Sequence, residues 1–165
     1  MVGLLDKLPL LAGRGGVVWV IVGIAAAPSS VFWDRAARSL GDLPALLVAF
    51  GLQTVSILLP VVTTDTALNL LSAVLYGGTF VGIVSLTLTL IGRHFPENPA
   101  KAMARLTLSY GVAQIVAPAM AGSMAAHTGS YSGSLGITAV VMAVGMVLLV
   151  VMLRDARKAS AASSY

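Results

Sequence analysis

Between Asp42 and Asp65, between Asp65 and Arg93, and between Arg105 and Arg154, the chain carries no Asp, Glu, Lys or Arg. One helix across a bilayer takes roughly 20 residues, so the first two intervals each hold one crossing and the last holds two. Residues 16–32 form a further charge-free run. Lipid supplies no partner for backbone N–H and C=O groups, which leaves only helices and closed barrels. Barrel strands alternate apolar and polar residues over about ten positions; these runs are longer and do not alternate. The expected fold class is therefore all-α: a polytopic membrane helical bundle of about five transmembrane helices. The spans fall at about 16–32, 43–62, 67–91, 106–126 and 134–153. Residues 1–153 read as one transmembrane domain. The Ala/Ser-rich residues 154–165 read as a disordered cytoplasmic tail.

Composition excludes most alternatives. Only 10% of residues are charged and 58% are hydrophobic, whereas soluble domains carry roughly 25% charge. The net charge of +4 is scattered and does not suggest nucleic acid. Cysteine is absent, which excludes disulfides, thiol chemistry and Cys-ligated metals. His94 and His127 lie in different loops, and no His/Asp/Glu group has metal-ligand spacing. No nucleophile–base pairing is present and no cofactor is expected, so the chain does not read as an enzyme. Val17–Ala27 has the look of a signal-peptide core, but Pro28 follows directly and four more spans come after, so it reads as the first span. Residues 1–13 hold an apolar stretch broken by Asp6, Lys7 and Pro9, too short to cross.

Basic residues set the orientation. Arg35, Arg38, Arg93, Lys101, Arg105, Arg154, Arg157 and Lys158 fall on one side, against Lys7 and Arg14 on the other. This pattern places the C-terminus in the cytoplasm of a multi-pass inner-membrane protein and the N-terminus outside. An outside start without a signal suggests a missing preceding helix. Local signals mark the joints. Trp33–Arg38 reads as a charged turn. Asp42 reads as a cap with Pro44 in the first turn, and Thr63–Thr66 as a tight polar turn. Asn98-Pro99 reads as a cap and helix start.

Two spans carry polar stripes. At 100° per residue, Asn69, Ser72, Tyr76, Thr79 and Thr87 of the third span lie within roughly 80° of one another. Gly78, Gly82, Ser85 and Thr89 lie opposite, and Gly78-x-x-x-Gly82 reads as a close-packing face. Tyr76 and Asn69 are expected to line a polar cavity, whereas the Ser and Thr hydroxyls can bond their own backbone at i−4. In the fourth span Thr107, Tyr110, Gly111, Gln114, Pro118 and Gly122 share a face. The candidate solute pathway is thus Asn69, Tyr76, Thr79, Tyr110 and Gln114. Gly78, Gly82, Gly111, Pro118 and Gly122 are the expected packing and bending positions. Gln53 and Thr54 of the second span read as structural.

The segment Ser30-Val31-Phe32-Trp33-Asp34-Arg35-Ala36-Ala37-Arg38 resembles the G-x-x-x-D-R-x-G-R signature of the major facilitator superfamily. Ser30 and Ala37 replace its glycines, and Asp34, Arg35 and Arg38 are in register. That signature implies a conformational-switch turn. Trp19–Ser29, Tyr76–Ile83 and Tyr110–Pro118 are similar to the C-terminal half of the YbfB/YjiJ-type branch of that superfamily, a resemblance covering about Trp19–Leu153. It implies a partial major facilitator fold, helices 8 to 12 of twelve, and a partial secondary transporter for an unknown small solute, inactive by itself. The partners implied are the lipid bilayer and a missing N-terminal half or another membrane subunit. The alternative from another class is a non-catalytic helical membrane interaction or assembly subunit.

Overall fold

In the computed structural model, residues 15–128 and 132–162 are described. They form six helices: α1 Gly15–Ala26, α2 Ser29–Leu40, α3 Asp42–Val62, α4 Thr66–His94, α5 Pro99–Thr128 and α6 Ser132–Ala162. The apolar stretch within residues 1–13, the basic residues Lys7 and Arg14, and residues 129–131 and 163–165 lie outside the described residues.

The expected first span corresponds to two helices set end to end. Pro28 has no N–H to donate and breaks the ladder between α1 and α2. The ladder is intact on either side, with Ala27 N bonded to Gly23 O at 3.1 Å and Phe32 N to Pro28 O at 3.0 Å. Together they make one apolar run, Gly16–Leu40, long enough to cross a membrane. The expected charged turn at Trp33–Arg38 is helical instead. Asp34 and Arg38 pair at i,i+4, with Nη2 to Oδ2 at 2.8 Å, and two alanines favour the helix. The real reversal comes at Gly41, whose φ of +92° is open to glycine and strained for other residues. Gly41 also occupies the N-cap of α3, so Asp42 makes no cap bond. It instead meets Arg93 Nη1 at 2.5 Å.

Helix α4 is capped by Asp65, which accepts from Leu68 N at 2.9 Å. It runs 29 residues, or about 44 Å at 1.5 Å per residue. That exceeds a hydrocarbon core of about 30 Å, so the helix must tilt or protrude. Helix α4 is also the hub of the bundle, touching α1, α2, α3 and α5, while α6 lies against α3. Helix α6 continues to Ala162, so residues 154–162 are helical rather than a disordered tail.

Among the described residues four runs are long and apolar enough to cross a membrane: Gly16–Leu40, Asp42–Val62, Thr66–His94 and Gly136–Ala156. The remaining expected span, the fourth, is α5; it has the length at 30 residues but is more polar, because Tyr110, Gln114, Pro118 and several glycines and serines dilute its apolar content. Two small cores hold the helices together. Val18 and Val22 of α1 pack on Ala73 of α4. Trp33 and Ala37 of α2 pack with Ala45, Leu46 and Ala49 of α3 and Leu86 of α4. Outward faces remain apolar, with Ile115, Val140, Val144 and Val147 all exposed, as a lipid solvent requires.

Candidate functional site

Small side chains let α4 approach its neighbours, and those approaches fix which residues face the interior. A Cβ on Gly77 would overlap the backbone carbonyl of Val22, and one on Gly82 would overlap the Trp33 ring. Trp33 is anchored there by Nε1 donating to Gly78 O at 2.8 Å. Gly78 itself is looser, with only the Ala25 carbonyl oxygen near a Cβ, at 4.0 Å. The tight pair of α4 against α1 and α2 is therefore Gly77 and Gly82, while Gly92 meets the flexible end of Met103 on α5. Nothing lies within 4 Å of a Cβ on Gly111 or Gly122, so neither makes a close helix contact among the described residues.

On its α3 side α4 is a sealed polar seam. Ser72 Oγ donates to Ser56 O at 2.6 Å. Thr79 Oγ1 bonds to the Gln53 side chain and, at 2.7 Å, to Leu75 O. Asn69, only 1% exposed, donates from Nδ2 to Thr63 O at 3.1 Å and Asp65 O at 2.7 Å. It ties the α3–α4 turn together and is not in the lining of the cavity described below. Thr87 and Thr89 bond their own helix at i−4, to Ile83 O and Ser85 O. Most of the α4 stripe is thus consumed by packing.

The exception is Tyr76. Its ring stacks on Phe80, with centroids 5.6 Å apart and planes 11° apart. Phe80 in turn leans on Tyr110 of α5 at 6.3 Å. This aromatic row walls a cavity of about 770 Å³ between α3, α4, α5 and α6. Phe50 and Gln53 contribute from α3, Pro118 and Gly122 from α5, and Ser134, Thr138 and Met142 from α6. Trp19 of α1 reaches its rim. The volume lies within the range that accommodates small organic ligands, roughly 300–1,000 Å³.

Gln114 does not line the cavity; it is exposed, and its Nε2 donates to the Tyr110 hydroxyl at 2.7 Å. It holds a wall residue. Thr79 stands one layer behind the wall, through Gln53. Asp34, Arg35 and Arg38 lie on α2, away from the cavity lining.

Sequence reasoning undervalued Gln53, which is 5% exposed yet borders the cavity. Its signal was available: an amide in the middle of an apolar span must find a partner. Ser134 and Thr138 lie near the start of α6, where a polar residue looks like an interfacial one. Chemically the wall is aromatic and hydroxylic, without carboxylate, Lys, Arg or His. Among the described residues no three His, Cys, Asp or Glu come together as a metal site. Such a wall can hold a solute by stacking, apolar contact and a few hydrogen bonds.

A family model described as an uncharacterised MFS-type transporter, YbfB, matches residues 13–150. No curated protein and no solved structure matches the chain.

Proposed function

The chain belongs to the YbfB-type family of MFS transporters, which are membrane transporters and not enzymes, and on that premise we propose that the cavity between α3, α4, α5 and α6 forms part of the route of a small solute. The observation that carries this reading is the aromatic row Tyr76–Phe80–Tyr110 facing a cavity with scattered hydroxyl and amide groups. In this reading α1 with α2, then α3, α4, α5 and α6, are the last five helices of a twelve-helix transporter. Further helices, from the same polypeptide or another membrane subunit, complete the wall. Transport proceeds by alternating access around a midplane site, and these helices by themselves move no solute. The membrane is the cytoplasmic one, with the C-terminal end inside, as the basic residues favour.

Single cysteines test both route and orientation, since the chain has none of its own. A cysteine at Thr138, in the wall, should react with a small hydrophilic thiol reagent. One at Val140, exposed on the apolar surface of the same helix, should not. Equal silence at both would sink the water-filled route. A cysteine at Thr64 should react with an impermeant reagent from outside and one at Ser39 only after the inner face is opened; the opposite result reverses the orientation.

A further inference from the structure

We propose that the groove between the end of α4 and the start of α5 binds the phosphodiester headgroup of an anionic phospholipid. The groove has a volume of about 630 Å³ and stands apart from the solute cavity. Lys101, Arg105 and Ser109 line it from α5, spaced at i, i+4 and i+8 and therefore on one helix face. His94 faces them from the end of α4.

The cations here are unspent. Arg38 and Arg93, at the same end of the bundle, are each held by a carboxylate. Lys101 and Arg105 have no ion pair among the described residues. Glu97 also borders the groove. Leaving His94 aside, two cations against one carboxylate leave one positive charge, the complement of a phosphodiester monoanion. The rest of the lining separates a lipid from free phosphate. Ile91, Phe95 and Leu106 form an apolar flank beside the charges, and Phe95 is 52% exposed. A soluble anion gains nothing from that flank, whereas a lipid lays its glycerol and upper acyl chain along it. The long stems of Lys101 and Arg105 suit the depth of the headgroup layer. Basic pockets between membrane helices are the kind of surface that captures anionic headgroups.

The test uses the full chain in detergent, titrated with phosphatidylglycerol or with phosphatidylcholine of identical acyl chains. Native mass spectrometry reads the bound lipid. Phosphatidylglycerol should be retained about tenfold better than phosphatidylcholine. The double variant Lys101→Ala/Arg105→Ala should erase that preference. Arg154→Ala/Lys158→Ala, outside the groove, should leave it unchanged. Glu97→Gln should tighten phosphatidylglycerol severalfold, an outcome that a misfolded variant does not give. Equal retention of the two lipids overturns the proposal, and so does a preference indifferent to Lys101 and Arg105. Inorganic phosphate that displaces the lipid overturns it too, because the occupant is then a soluble anion.

Discussion

Ser72 finds its partner on the neighbouring helix, the Ser56 carbonyl at 2.6 Å, whereas Gln114 finds its partner four residues back on its own helix, the Tyr110 hydroxyl. The two residues stand for two regions. The α3–α4 seam is closed: Gln53, Ser56, Ser72 and Thr79 are all buried, and their hydrogen bonds join two helices. The face of α5 is open: Leu108, Ile115 and Met120 are exposed, and Thr107 and Ser109 bond their own backbone at i−4. In a membrane, polarity does not by itself mark a pathway. A polar stripe becomes a seam where a neighbour is close enough to share its bonds. It remains available to a solute or a partner helix where no neighbour comes that close.

The largest expected effect separates the regions sterically. Gly77→Leu and Gly82→Leu each force a side chain into the Val22 backbone or the Trp33 ring. Overpacking of this kind costs about 3 kcal/mol, because backbone has nowhere to go. Gly111→Leu meets nothing within 4 Å of its Cβ and should leave the melting temperature in detergent near that of the parent. If Gly111→Leu melted as early as Gly77→Leu, the face of α5 would be a packed interface rather than an open one.

A smaller effect separates them by hydrogen bonding. Thr79→Val keeps the shape of the side chain but strips Gln53 of its buried partner, at a cost of about 1–2 kcal/mol. Gln114→Leu removes an exposed bond within α5 and should cost less than about 0.5 kcal/mol. Detergent unfolding of both variants checks the order. A Gln114→Leu loss as large as that of Thr79→Val would show that the Tyr110–Gln114 pair holds α5 in place.

Much of this division was legible in the sequence, and the remainder was not for physical reasons. Charge-free intervals and joints such as Asp65 and Asn98-Pro99 mark where helices begin and end. Periodicity marks the polar faces of α4 and α5, but a helical wheel gives direction without distance. It could not tell that Asn69 turns back to the α3–α4 turn while Tyr76 fronts a cavity. It could not rank Gly77 above Gly78 either, since adjacent positions differ by one step on the wheel and the deciding atom is a Val22 carbonyl far away in sequence. The charged segment 33–38 reads as a turn because charges in a membrane protein mark water. Here the helix instead continues through them for another turn and stops at Gly41. The family resemblance located the chain in its superfamily, a level at which the match over residues 13–150 agrees.

The smallest expected effect concerns the two carboxylates at the α2–α3 end. Asp42 meets Arg93 across 51 positions in sequence, and its side chain is 18% exposed. Asp34 meets Arg38 one turn away on α2, with side chains 51% and 77% exposed. Water screens the second pair and both partners already belong to one helix, so Asp34→Asn should cost at most about 0.5 kcal/mol. Asp42→Asn loosens a tie between α3 and the end of α4, and about 1 kcal/mol is expected for a better-shielded pair. Thermal unfolding at low and high salt separates the cases: added salt should shrink the Asp42→Asn loss only partly and abolish any Asp34→Asn loss. A small stability effect leaves Asp34 free to act in another way. The resemblance to the switch signature implies a conformational-switch turn, and a role in switching would add nothing to the stability of this conformation. In an assembly that transports, Asp34→Asn should therefore slow turnover while leaving both melting temperature and solute affinity near those of the parent. If Asp34→Asn instead destabilised the bundle more than Asp42→Asn, its carboxylate would be a structural tie in this conformation, and the comparison between the two pairs would fail.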